Sequence, residues 1–333
     1  MRLVTYACAD APLRLGALVD EWVIDLNRAY RLMLEGKGAG RAQERANALV
    51  PPEPVAFLEG GEDSLAAARE AVAFATENPE RAQQAGAAVR REAVRLGPPV
   101  LRPGKIVCVG HNYREHILEM KRELPEYPVI FAKFANTLIG PFDDIPLLPI
   151  THQLDYEAEL AFVIGKRAKN VPREEAMAYV AGFAVANDVT ARDLQRRTVQ
   201  WLQGKTLDGS LPLGPCLVTR EELPDPHNLD ISLSVNGELR QRANTRSLVF
   251  TVDDLVSFLS EIMTLEPGDV VLTGTPGGVG VAMDPPTFLK DGDRVRVEIA
   301  GIGALENRVR AVDRWGVPLH REGEVEAERS ERL

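Results

Sequence analysis

Glu157 and Glu159 stand two residues apart in the run LDYEAELAFVIGK (residues 154–166), which alternates and then turns apolar. That is the pattern of a strand, whose successive side chains point to opposite faces, so the two carboxylates share one face. Two unit charges about 4 Å apart repel by roughly 1 kcal/mol in water and about 4 kcal/mol at the effective dielectric of a protein surface. Something positive belongs between them. Asp188 closes another apolar run, VAGFAVAN (residues 180–187), at the carboxyl end where strands deliver side chains into sites. By itself an aspartate there more often caps the next helix, here expected over residues 190–201. The three carboxylates together offer hard oxygen donors, which suit Mg2+, Mn2+ or Ca2+ rather than zinc or copper. The plainer reading is a solvated acidic strand edge with an unrelated Asp188.

Three further places carry chemistry. His116 and Glu119 are i and i+3 in a polar helix expected after Gly110-His111-Asn112-Tyr113, so the carboxylate can orient the imidazole, although such pairs also arise by chance on exposed helices. Lys205 sits in the mostly uncharged stretch WLQGKT; a phosphate loop is excluded because Val199 occupies the position where its first glycine is needed. The run VVLTGTPGGVG (residues 270–280) reads as a strand entering a glycine-rich loop, whose amides and Thr275 hydroxyl could hold a carboxylate. No G-x-G-x-x-G occurs, which argues against dinucleotide binding.

The elements that must position these groups come from a chain of 333 residues with net charge −10, long enough for two domains. The acidic balance argues against nucleic acid and anionic membranes as partners. No apolar run reaches membrane-spanning length and the first residues lack a signal-peptide core, so a soluble cytoplasmic protein is expected. Cys8, Cys108 and Cys216 read as reduced thiols rather than a disulfide or zinc site. Short strands are expected over residues 3–6, 15–19 and 22–26, then helices over 26–36 and 64–77, with Ser64 as a cap and a helical resumption over 82–95. Pro98-Pro99 and Pro103-Gly104 mark a boundary, giving a small domain (1–98), a larger one (99–318) and a charged, disordered tail (319–333). Asn236-Gly237 marks a hairpin and residues 252–265 a helix.

Six strings in order carry a resemblance: KIVCVGHNYREHILEM (105–120), DYEAELAFVIGK (155–166), AGFAVANDVTARDLQ (181–195), GKTLDGSLPLGP (204–215), VNGELRQ (235–241) and LTGTPGGVG (272–280). Over residues 100–312 the chain resembles the fumarylacetoacetate hydrolase family, in particular its acylpyruvate-hydrolase, isomerase and decarboxylase branch. The resemblance implies an α+β fold with a mixed β-sandwich roll, a homodimer, and a divalent metal (Mg2+, Mn2+ or Ca2+) on Glu157, Glu159 and Asp188. It implies His116 and Glu119 as a catalytic dyad, Lys205 as the active-site lysine, and Gln195 as its polar partner. Thr275, with Tyr113, Lys133 and Gly274, is placed on the substrate side. His111 stands where many relatives have arginine.

The activity so implied is cleavage of a C–C bond in an acylpyruvate or diketo acid, with His116 activating water. Isomerisation of a dienol or decarboxylation of an oxo acid on the same site is the alternative, and a non-catalytic metal-binding scaffold is the remote one.

Overall fold

The computed structural model describes residues 1–114, 117 and 123–319. His116, Glu119 and the tail beyond Leu319 lie outside the described residues. Among the described residues the strands form a twelve-stranded sheet, a five-stranded sheet and a two-stranded ladder. The long sheet runs Ala88–Arg90, Trp22–Asp25, Arg14–Val19, Arg2–Ala7, Leu211–Thr219, Val180–Asn187, Ala158–Ile164, Val270–Leu272, Ile106–Gly110 and Val129–Lys133. Val270–Leu272 and Ile106–Gly110 are parallel, whereas Ala158–Ile164 is antiparallel to both its neighbours, so the sheet is mixed.

Every residue of Ala158–Ile164 is buried, which fits its near-continuous apolar sequence and a strand covered on both faces. Leu160, Phe162 and Ile164 point to one face, where they join Leu233, Val295, Val297, Leu305 and Val309 of the five-stranded sheet in one core. That packing is the sandwich. Ala161 and Val163 point to the other, where they pack with Leu32, Met33, Phe57 and Ala71 from amino-terminal helices. The fold is α+β, as expected. The second sheet includes the hairpin read from Asn236-Gly237: Asp230–Val235 pairs with Glu238–Asn244, and φ of 53° and 82° at the two turn residues gives the primed turn that asparagine and glycine favour.

The first three strands and the helix Leu26–Gly36 form where the sequence placed them. They also extend the long sheet across the Pro98-Pro99 boundary, because Arg2 and Leu3 pair with Val218 and Leu217. Three expectations need correction. Ser64 caps nothing: the helix is Gly61–Glu77, begun at Gly60, since Gly61 at φ 56° turns the chain straight out of the helix Pro54–Glu59. Residues 82–95 do not resume a helix. Pro79–Gln84 ends before Gly86, whose φ is 64°, and Ala88–Arg90 then adds an edge strand to Trp22–Asp25. Residues 190–201 are not one helix either. Thr190 and Ala191 pair with Asp155 and Leu154, and two single-turn helices follow, Arg192–Gln195 and Leu202–Lys205. Between them the Thr198 hydroxyl donates to the Gln200 carbonyl, a local bond that competes with helix. The sequence also gave no sign of Ala42–Leu49 as a helix. Among the described residues no helix is long and apolar enough to cross a membrane.

Candidate active site

Antiparallel pairing brings the acidic residues together. Glu159 lies opposite Ala186, and the Asp188 amide donates to the Glu157 carbonyl at 2.9 Å, so both strands deliver their carboxylates at the same end of the sheet. Ligand oxygens of Glu157, Glu159 and Asp188 all fall within 4.8 Å of one another, and all three residues are buried. Asp188 therefore faces the site and caps no helix.

Buried cations surround this cluster. Lys205 Nζ donates to Glu157 Oε2 at 2.8 Å and Asp188 Oδ2 at 2.7 Å, and lies 4.9 Å from the centre of the Phe131 ring. Lys133 Nζ sits 2.9 Å from Asp188 Oδ1 and is steadied by the Ser210 hydroxyl at 3.1 Å. Arg192, which the sequence reading missed, places Nη1 2.7 Å from Glu157 Oε1 and Nε 2.8 Å from Asp155 Oδ2. Asp155 also accepts from the Gly280 and Val281 amides, so one buried carboxylate ties Arg192 to the glycine-rich loop. Asp155, Glu157, Glu159 and Asp188 thus meet Lys133, Arg192 and Lys205, four carboxylates against three cations. Glu159 is the one without an ion pair among the described residues; its hydrogen bond comes from the Gly274 amide at 2.6 Å.

The electrostatics follow from this arrangement. Burial would push Asp188 up, but Lys133 and Lys205 hold it below the ordinary carboxylate range. Burial would depress Lys205, yet Asp188 and Glu157 outweigh it and keep the ammonium charged. Glu159 goes the other way: burial first, then Asp188 and Glu157, raise its carboxyl well above the usual value. A buried carboxylate with no counter-charge, beside two more hard oxygen donors, fits a divalent cation. Binding such an ion displaces the proton that Glu159 favours, so affinity should rise with pH above the ordinary glutamate value of about 4.3. We expect Mn2+ to raise the melting temperature more at about pH 8 than at about pH 5. Equal shifts at both would contradict the placement of Glu159 among the ligands.

Glu157 and Glu159 open on a cavity of about 470 Å3, whose other walls include Lys205, Gln195, Arg192 and Thr275. His111 lines it too, at φ 54° and edge-on to Trp201 with ring centres 5.5 Å apart, and Trp201 meets Phe131 the same way at 5.3 Å. The position that departs from the family's arginine is thus a wall of the cavity. Gln195 accepts from Arg192 Nη1 at 3.2 Å. Three of the residues expected on the substrate side stand behind the wall. The Gly274 amide is taken by Glu159, and a side chain there would meet the Val109 carbonyl at 2.9 Å, which explains the glycine. Lys133 is wholly buried against Asp188. Tyr113 is buried, with its hydroxyl unpartnered among the described residues and held protonated by burial and by Glu159. Cys108 is likewise kept a thiol by burial, Asp188 and Glu159, so it is no nucleophile.

Residues 105–310 match the fumarylacetoacetate (FAA) hydrolase C-terminal family. The chain belongs to the fumarylacetoacetate hydrolase family. Within that family it is similar to a mitochondrial oxaloacetate tautomerase of Bos taurus, 48% identical over 262 residues that cover 78% of this chain and 80% of the other. Among solved structures it resembles a fumarylacetoacetate hydrolase from Exiguobacterium antarcticum, with a TM-score of 0.75 and 34% identity over 94% of this chain and 100% of the other. It also resembles a maleylpyruvate hydrolase from Sphingobium sp. SYK-6, solved with manganese(II) and pyruvate, with a TM-score of 0.69 and 29% identity over 94% and 99% of the two chains. The bovine relative is mitochondrial, whereas the sequence of this chain pointed to the cytoplasm.

Proposed function

We propose that this chain is a divalent-metal-dependent tautomerase of short 2-oxo diacids of the oxaloacetate type, with Mg2+ or Mn2+ as the working ion. The observation that carries the reading is a cavity lined by Glu157, Glu159, Lys205, Gln195 and Thr275, with the buried Asp188 carboxylate within 4.8 Å of both glutamates. The bovine oxaloacetate tautomerase, similar over most of its length, supports the choice of substrate.

Glu157, Glu159 and Asp188 would hold the ion, which when bound supplies positive charge that polarises an oxo group. The protein supplies the rest. Arg192 fixes Glu157 and Lys133 fixes Asp188, so these donors are in place before any ligand arrives. Thr275 and Gln195 offer hydrogen bonds to a carboxylate and orient it. Tautomerisation moves one proton from the enol oxygen to the neighbouring carbon and consumes no water.

Cleavage of acylpyruvates is the second reading, favoured by the His116–Glu119 pair in the sequence and by the similar maleylpyruvate hydrolase. It requires water activation, the role that the family resemblance implies for His116. One experiment separates the two. Protein with Mg2+ should speed the loss of enol absorbance from fresh oxaloacetate while total oxaloacetate stays constant, and His116→Ala should spare much of that rate. Unchanged enol decay together with cleavage of an acylpyruvate panel would replace tautomerase with hydrolase.

A further inference from the structure

The VNGELRQ string ends on Gln241, which lies in the second sheet and has no role in the chemistry derived so far. Its side chain is 1% exposed and reaches across to the long sheet and the glycine-rich loop. Gln241 Oε1 accepts from the Ala158 amide at 2.9 Å, between the two glutamates. Gln241 Nε2 donates to the Pro276 carbonyl at 2.9 Å and lies 2.9 Å from Thr275 Oγ1. These partners fix the amide's orientation, because an amide N–H can only donate and a carbonyl can only accept. The nitrogen's second proton goes to the Thr275 hydroxyl oxygen at 2.9 Å, the Gly277 carbonyl being farther off at 3.5 Å.

The consequence concerns the hydroxyl proton. Among the described residues Thr275 donates to no acceptor, and its side chain lines the cavity. The loop lies close against the second sheet here, since a side chain at Gly278 would sit 2.1 Å from the Arg240 carbonyl. We propose that Gln241 is a positioning residue that sets the hydrogen-bond polarity of Thr275, forcing its hydroxyl proton toward a substrate carboxylate. This rests on the reading of the substrate as a 2-oxo acid. A hydroxyl free to accept or donate would spend part of its time turned away from an anion; one compelled by Gln241 does not.

The test is a double-mutant cycle read by calorimetric titration of oxalate into protein loaded with Mn2+. Q241E keeps an acceptor for Ala158 but removes the donor, so the Thr275 proton turns to residue 241; T275V removes the hydroxyl. Each should weaken oxalate binding about tenfold, in line with one hydrogen bond to a charged group. The double variant should be no weaker than either single, and T275S should restore wild-type binding. Q241M serves if Q241E does not fold, with the same expected non-additivity against T275V. Losses that multiply to about a hundredfold would show that residue 241 acts by charge or general packing and would overturn the proposal. So would unchanged binding in T275V, or no oxalate binding by the wild type. Wild-type protein that shows the oxalate cycle but leaves enol oxaloacetate untouched would instead remove the tautomerase reading and keep Gln241 in its role.

Discussion

Asp188→Ala should cost about a thousandfold in Mn2+ affinity and bring turnover to background. A carboxylate about 4 Å from a charge contributes about 4 kcal/mol at the effective protein dielectric even for a monovalent partner, and each 1.4 kcal/mol is a factor of ten. The same substitution strips Lys133 of its carboxylate, since its remaining contacts are the Ser210 hydroxyl and the Val189 carbonyl. A buried ammonium left without a counter-charge costs about 3–5 kcal/mol of stability. Asp188→Asn keeps the shape and separates the effects: it should lose the ion and the activity while remaining folded by circular dichroism. Calorimetric titration of Mn2+ and an enol-decay assay on both variants provide the check. Turnover within tenfold of wild type in either would exclude Asp188 as a ligand.

Lys205→Met should dissociate the two functions of that residue. Lys205 lies between Glu157 and Asp188, so its removal leaves Glu157 with Arg192 alone and Asp188 with Lys133 alone, with nothing positive between the two carboxylates, and should destabilise the ion-free protein. Lys205 also competes with a metal for those same oxygens. Mn2+ should therefore bind the variant at least as tightly as the wild type and should raise its melting temperature by more. Turnover should still fall at least about a hundredfold, because the preorganised positive charge at the cavity wall is gone. Weaker Mn2+ binding would mean that Lys205 holds the ligands in place rather than competing for them.

The acidic centre was legible because its signals are local. Two glutamates with strand spacing, an aspartate at a strand's end and a lysine in an uncharged stretch each announce themselves within a few residues, and the apolar runs around them form the strands Ala158–Ile164 and Val180–Asn187. What the sequence hid is contact at long range. Arg192 is a charged residue among charged residues until the fold sets it between Asp155 and Glu157, and Gln241 joins Ala158 to Thr275 across two sheets. A rule that strand ends deliver side chains finds Asp188 but cannot show that Lys133, on an edge strand three places along the sheet from Ala158–Ile164, faces the same carboxylate. The Gly274 amide holds Glu159 and its Cα lies against the Val109 carbonyl, and close approach of a backbone looks, in sequence, the same as contact with a ligand. The helix misplaced over residues 190–201 failed for a similar reason: pairing of Thr190 and Ala191 with residues 35 or more positions earlier overrides local propensity.

The central claim is that Glu157, Glu159 and Asp188 form one divalent-ion site on which activity depends. Chelator-treated protein titrated with Mn2+ should take up one ion per chain, and the rate of enol oxaloacetate decay should rise in proportion to that occupancy and stop rising when it is complete. Full activity in the chelated protein, or saturation of activity out of step with occupancy, would contradict the claim.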